Sequence, residues 1–311
     1  MKEQLCLSVV SPVFNEEAVI RSFYDDLARV LRETGVTYEI VFVDDGSRDG
    51  TFIALSLIRN EDPGHVRVIR LARNFGHQLA ITAGMQAAKG QAVVVMDCDL
   101  QDPPALIADF LRHWREGNQV VYGRRSHRRD ETWFKKFSAF LFYRLLRRLT
   151  RIDIPADAGD FYLLDRRVLD ILNGMEERHR FLRGLIAWSG FRRVAVEYVR
   201  QGRLAGETKF SLWKMLKFSL DAVTSFSFVP LRMVSFFGFL VSLVAFVGIL
   251  VTAYIKLFTV YTVTGWASLM VVVLFLGGIQ LVSIGIIGEY IARIGDDVKR
   301  RPLYTVQEML E

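Results

Sequence analysis

Two long stretches without charge set the first limit on this chain. No charged residue occurs from Met233 to Ile255, or from Leu257 to Gly288. Each run is long enough for a helix of about 20 residues to cross the hydrocarbon core of a bilayer, where only helices and closed barrels satisfy their own backbone. The two runs account for a mean hydropathy of +0.23, high for an ordinary soluble protein. Two buried helices of a soluble fold are the alternative, but both runs exceed the usual globular helix of roughly 10–14 residues. Lys209, Lys214, Lys217 and Arg232 precede the first run, and Arg293, Lys299, Arg300 and Arg301 follow the second. The connecting segment carries only Lys256. Because basic flanks stay on the cytoplasmic side, both termini and everything before the first run are expected in the cytoplasm, at the inner membrane.

The first two hundred residues follow a different rule. "LCLSVVSPV", "YEIVFVD", "VRVIRL", "QAVVVMD" and "QVVYG" are short apolar runs that read as buried strands. Between them, "EEAVIRSFYDDLARVLRE" and "DGTFIALSLIRNE" have helical spacing, and "PPALIADFLRHWREG" opens on proline and closes on glycine. Such alternation predicts an α/β domain, with a mostly parallel sheet covered on both faces. Ligands of these sheets sit beyond the carboxyl ends of the strands. The polar clusters of this chain fall there: "PVFNEE", "DDGSRDG" and "DCDLQD".

Two further stretches combine basic and apolar faces. These are Trp133 to Arg151, with Arg144, Arg147, Arg148 and Arg151, and Lys209 to Phe226, with Lys214 and Lys217 opposite Trp213, Leu216 and Leu220. Both fit helices lying in a membrane interface; ordinary amphipathic helices packed on the domain are the alternative. A net charge of +6 is modest. Cys6 and Cys98 form no CxxC pair, so neither a disulfide framework nor a structural zinc site is expected. The N-terminus runs straight into a strand without a cleavable signal pattern.

The richest chemistry lies in "MDCDLQDPP". Asp97 and Asp99 are alternate residues leaving a strand, and Gln101 follows at the same spacing. Two carboxylates and an amide oxygen make a hard, oxygen-rich site suited to Mg²⁺ or Mn²⁺, ions that keep waters and share substrate phosphates. A bare D-x-D is common in surface loops. Here it follows a buried strand, with further acidic clusters at equivalent strand ends.

Together, "SPVFNEE", "VFVDDGSRDGT", "RNFGHQLAITAGMQAAKG" and "VVVMDCDLQDPP" resemble the signature of family 2 glycosyltransferases with the GT-A (Rossmann-like) fold. More narrowly, the chain resembles the polyprenyl-phosphate glycosyltransferases, dolichol-phosphate mannose synthases and bactoprenol glucosyltransferases, including "GETKFS" and the two apolar runs. The resemblance implies a cytoplasmic catalytic domain over 1–205, an interfacial amphipathic segment over 206–231, two transmembrane helices within 232–292 and a cytoplasmic tail over 293–311. It also implies roles. Pro12, Phe14 and Glu16 would form a nucleotide-contact loop, and Asp44 would touch base or ribose, with Asp45 beside it. Asp97, Asp99 and Gln101 would hold the metal on the donor diphosphate. Arg124 would sit near a phosphate, and Arg203 and Lys209 would belong to a loop closing over the phosphates. Cys98 is given no role and reads as packing.

The donor would be a nucleotide sugar, UDP-glucose foremost with GDP-mannose or a modified sugar as the alternatives, and the acceptor a polyprenyl phosphate. That acceptor is already anionic and hardly needs a general base. Asp157 is therefore open between orienting the acceptor or sugar and acting as base. Asp160 suits a structural cap better, and His77 is open between a phosphate contact and a structural histidine. A processive polysaccharide synthase is the alternative enzyme, but the chain lacks Q-x-x-R-W and has few spans. Nucleic acid as a partner through Arg124–Arg129 and Arg144–Arg151 finds no binding fold to support it, and self-association is left open.

Overall fold

The computed structural model of the chain describes residues 6–125, 158–178, 180–199, 229–258 and 265–311. The described residues divide into two compact units, one of Met1–Leu216 with Arg301–Glu311 and one of Lys217–Arg300.

The first unit is built on an eight-stranded sheet. Its strands are β1 (Leu7–Val13), β2 (Tyr38–Asp44), β3 (Val66–Leu71), β4 (Ala92–Val95), β5 (Val120–Arg125), β6 (Ala158–Asp165), β7 (Arg193–Tyr198) and β8 (Val306–Leu310). Their spatial order is β7-β5-β6-β4-β1-β2-β3-β8. β4, β1, β2 and β3 run parallel, as do β5 and β7. β6 is antiparallel to both β4 and β5, and β8 is antiparallel to β3. Every residue of β1 and β2 is buried, Ser8, Ser11, Glu39 and Asp44 included, as expected of strands covered on both faces.

The covering helices are α1 (Ile20–Glu33), α2 (Thr51–Glu61), α3 (His77–Ala87), α4 (Leu106–Arg115), α5 (Arg166–Asn173) and α6 (Leu182–Trp188). α1 buries Ile20, Phe23, Tyr24, Leu27 and Leu31, one stripe at three- and four-residue spacing. Fully buried side chains of this size each contribute about 1.5–3 kcal/mol. α3 lies so close to β1 and β2 that a Cβ on Gly84 would come within 2.3 Å of Val10 Cγ1. Only glycine lets this helix seat there, and its seating places His77 at the strand ends.

β6, β7 and β8 were not read from the sequence. All three owe their place to long-range pairing. β8 brings the chain after the second apolar run back to the sheet, where Arg67 reaches Glu311 Oε1 at 2.6 Å. Arg59 donates to the Glu311 carbonyl and Tyr304 to Gln86 Oε1.

The second unit holds two long helices, α7 (Val229–Phe258) and α8 (Trp266–Val298). Among the described residues, Val271–Val298 is long and apolar enough to cross a membrane, whereas α7 holds a shorter apolar stretch, Val234–Gly248. By length and composition, then, one of the two expected spans meets the test. Residues 293–311, expected as a tail, divide between the end of α8 and β8. Both expected interfacial stretches lie largely or wholly outside the described residues.

Candidate active site

The loops after β1, β2 and β3 are sewn to one another by their own polar groups. Asn15, at φ 55 in the left-handed region, donates its backbone N–H to Ser47 Oγ at 3.0 Å and accepts from the Arg48 N–H at 2.9 Å. Glu16 N–H donates to Thr51 Oγ1 at 2.9 Å, and Glu17 Oε2 accepts from Gly50 N–H at 2.8 Å. Asp44 is wholly buried; its Oδ1 accepts from Ser47 N–H at 3.0 Å and its Oδ2 stands 3.6 Å from Arg70 Nε. Asp45 accepts two backbone bonds from the third loop, Phe75 N–H at 2.7 Å and Gly76 N–H at 2.9 Å. Burial raises the Asp45 pKa, with those two donors pulling it down. Gly46, at φ 70, is where the second and third loops meet, since a Cβ there would lie 2.6 Å from the Arg73 carbonyl carbon.

The segment after β4 is different. Cys98 turns inward, its Sγ 3.6 Å from the Pro12 carbonyl oxygen, as the packing reading of the sequence has it. Leu100 takes φ 58, a costly left-handed turn for a branched residue. The turn lets Gln101 N–H reach back to Asp99 Oδ1 at 3.1 Å. Gln101 is buried, and its Oε1 has no hydrogen-bond partner. Asp97 Oδ1 is likewise buried without a hydrogen bond, with His77 Nε2 3.5 Å away. Burial, together with the nearby Asp160, Asp99 and Asp102, pushes the Asp97 pKa up to about 6, against the pull of His77.

Behind Asp97 runs a chain of alternating charge. His77 Nε2 is 3.3 Å from Asp160 Oδ2, and Arg183 Nε is 3.2 Å from Asp160 Oδ1. Gln78 Nε2 donates to Asp160 Oδ2 at 3.2 Å. Burial works to raise the Asp160 pKa, but His77 and Arg183 outweigh it and hold the carboxyl low. The same carboxylates raise the His77 pKa against its burial. Asp160 thus caps no helix; it is the buried anion between His77 and Arg183. Asp102, also buried, accepts from Tyr198 OH, to which Arg125 Nε donates at 3.4 Å. Burial first, then Asp102, lifts the Tyr198 pKa to about 12.

The predicted residues therefore divide. Pro12, Phe14, Glu16, Asp44, Asp97, Asp99 and Gln101 lie on the ends of β1, β2 and β4. Arg124, on β5, pairs with Glu197 of the neighbouring β7. Its neighbour Arg125 is the one beside Tyr198. Asp157, Arg203 and Lys209 lie outside the described residues. Sequence reasoning missed Arg125, Arg183 and Tyr198, whose partners are distant in the chain.

Two cavities open on the strand ends. One of 360 Å³ is lined by Phe14, Asn15, Ser47, Arg48, Arg70 and Arg73 among others. A second, of 160 Å³, shares Phe14 and Asn74 with it and adds Pro12, Asp45 and His77. No group of three or more His, Cys, Asp or Glu side chains among the described residues is set to hold a metal by itself. The donor set at β4 is instead two carboxylates and an amide, with two buried oxygens unbonded. That chemistry fits a hard divalent cation whose remaining ligands are water and phosphate.

Comparison with known proteins settles the family. The model for "Glycosyl transferase family 2" matches residues 8–172. The chain belongs to this family. Its α/β GT-A domain, with a mostly parallel sheet, is the one expected, and the protein is a glycosyltransferase. An uncharacterized glycosyltransferase of Bacillus subtilis is 51% identical over 99% of this chain and 95% of its own. A prophage bactoprenol glucosyl transferase homolog of Escherichia coli is 38% identical over 97% of this chain and 99% of its own. The bactoprenol glucosyl transferase of Shigella phage SfV is 38% identical over 97% and 98%. Among solved structures, a mannosyltransferase of Pyrobaculum calidifontis in complex with GDP-Man and Mn²⁺ aligns with a TM-score of 0.47 at 18% identity, over 70% of this chain and 61% of that one.

Proposed function

We propose that this glycosyltransferase moves a hexose, glucose from UDP-glucose foremost, to a polyprenyl phosphate at the cytoplasmic face of the inner membrane. The observation that carries the reading is the pair of unbonded buried oxygens at the end of β4, Asp97 Oδ1 and Gln101 Oε1. The relatives named bactoprenol glucosyl transferase, which match this chain almost end to end, support the acceptor and the sugar. Mg²⁺ or Mn²⁺ held by Asp97, Asp99 and Gln101 would supply positive charge against the departing diphosphate.

The chain's own residues do the rest. The larger cavity takes the nucleoside, with Phe14 as an exposed apolar wall. The diphosphate passes Phe14 and Asn74 into the smaller cavity, where His77 faces Asp97. Asp44, being buried, serves the nucleoside by fixing Ser47 and Arg70, and Glu16 by fixing its loop to Thr51. An acceptor phosphate oxygen bonds to the anomeric carbon as the bond from that carbon to the diphosphate breaks. The bonding pair leaves with the nucleoside diphosphate. The anionic acceptor brings no proton to remove, so no general base is required, and single displacement inverts the centre. Asp157 would then orient acceptor or sugar, while Arg203 and Lys209, with Arg124 next, would offset the repulsion between two phosphorylated substrates.

Two spans are favoured by chain continuity. β8 shares a sheet with β1 to β3, so the chain before α7 and after α8 must lie on one side of any bilayer. One crossing would separate them; two would not. Cysteine in place of Thr262, in a variant lacking Cys6 and Cys98, should therefore react with an impermeant thiol reagent outside intact cells. Protection at that site overturns the two-span topology. The function is tested by mass analysis of products from the detergent-solubilised protein with UDP-glucose, GDP-mannose, polyprenyl phosphate and Mg²⁺ or Mn²⁺. Hexosyl-phosphoryl-polyprenol from UDP-glucose is expected; transfer only to neutral hydroxyl acceptors overturns the reading.

A further inference from the structure

We infer that the C-terminal strand completes the donor-nucleoside subsite, with the amide of Gln307 as a contact to the base edge. This rests on the nucleotide-sugar reading above and adds to it a wall of the site drawn from the far end of the chain.

The register of β8 carries the inference. Leu310 pairs with Val68, Met309 with Ile69 and Glu308 with Arg70, but Leu71 pairs with Val306. Gln307 is the extra residue, left without a partner on β3. The shifted register persists beyond it, since Ala72 N–H donates to the Thr305 carbonyl at 2.9 Å. A bulge gives up regular pairing and re-aims one side chain, and bulges recur beside active sites for that reason. Here the re-aimed residue is the one residue of β8 that lines the 360 Å³ cavity. Had the ladder stayed regular, Gln307 would have stood opposite Leu71 as an ordinary edge residue.

The chemistry of the cavity suits an amide at this place. Its cations, Arg48, Arg70 and Arg73, carry side chains that can only donate hydrogen bonds. Arg70 and Arg73 lie over the rings of Phe52 and Phe75, at 4.3 and 4.0 Å. Asn15 Oδ1 is already committed to the Arg48 N–H. The pairing edge of uracil sets an N–H donor beside a carbonyl acceptor, and a carboxamide meets both at once. No hydrogen bond among the described residues holds the Gln307 amide. The strand that presents it is a fixed wall rather than a loose end, because Arg67, Arg59 and Gln86 anchor the residues on either side.

The test uses the full-length protein in detergent, with UDP and Mn²⁺ as the probe, titrated calorimetrically. Gln307→Ala should weaken UDP binding about three- to tenfold, the loss expected of one or two hydrogen bonds. KM for UDP-glucose should rise to match, with kcat and Tm unchanged. Gln307→Asn, which keeps the amide, should recover part of the loss, and Glu308→Gln on the same strand should bind UDP as the wild type does. Wild-type UDP affinity in Gln307→Ala overturns the inference alone. Equal losses in the Ala and Asn variants with a lowered Tm also overturn it, leaving a strand-packing role. A wild-type protein that binds no nucleoside diphosphate overturns it together with the reading of the function.

Discussion

The loops after β1 and β2 and the segment after β4 are all acidic, but they use their acids differently. In the first group most of the carboxylates described accept hydrogen bonds from the protein's own backbone. Asp45 takes two backbone N–H groups of the third loop, Glu17 takes that of Gly50, and Asp44 takes that of Ser47 on Oδ1, while its buried Oδ2 has no hydrogen bond and faces Arg70 Nε at 3.6 Å. After β4, Asp97 Oδ1 and Gln101 Oε1 are buried and unbonded, and Asp97 is surrounded by other carboxylates. Burying a polar oxygen without a partner costs on the order of 1–3 kcal/mol. The difference teaches that acidic density by itself does not mark a site. What marks it here is a carboxylate oxygen and an amide oxygen, both buried and unbonded, at the end of one strand.

The strongest way to break this comparison is to change one acid of each kind. Asp97→Asn should lower transfer roughly a thousandfold or more, as the loss of several kcal/mol of charge stabilisation implies, with the fold intact by circular dichroism. Transfer near the wild-type rate would remove Asp97 from the site. Asp45→Ala should instead act on stability, because it strands two N–H groups. A loss of about 2–4 kcal/mol in denaturant unfolding is expected, with transfer falling as the third loop loosens. An unchanged midpoint would show that the carboxylate does not hold that loop.

The pH dependence sharpens the contrast. The Asp97 pKa is raised above its unfolded value of 3.8 to about 6. Its contribution to the metal-free fold is therefore fully present below the unfolded value and is lost as pH rises through about 6. A bound divalent cation compensates only the ionised form. Mn²⁺ with UDP should thus raise Tm more at pH 8 than at pH 5, and Asp97→Asn should flatten that difference. An equal shift at both pH values would contradict the environment described for Asp97. The smallest effect concerns the two adjacent arginines of β5. Arg124 is half exposed and paired with Glu197, so Arg124→Ala should cost transfer only a few-fold, on the order of an exposed ion pair. Arg125→Ala, which removes the neighbour of Tyr198 and Asp102, should cost more in parallel steady-state assays. The reverse order would favour Arg124 over Arg125 as the residue of β5 that meets a phosphate.

Much of this protein was legible in its sequence because the determinants are local. Short runs rich in Val and Ile between turn signals fit strands covered on both faces, so β1 to β5 were readable from composition and length, although β3 and β5 are only partly buried. The stripe of α1 was readable from its spacing, and the D-x-D from its place at a strand end. Two charge-free runs limited the second unit to long apolar helices. Tertiary structure decided the rest, because pairing between distant segments leaves no local period. The insertion of β6 antiparallel between β4 and β5 brings Asp160 beside His77 and Arg183, which lie on other elements and share no local period with it. β8 is an edge strand with its side chains largely exposed, so "VQEML" lacks the signature of a buried strand. Its single extra residue, Gln307, is visible only against the register of β3. A sequence specifies which groups are available; only the fold decides which of them are consumed by the backbone and which are left for a ligand.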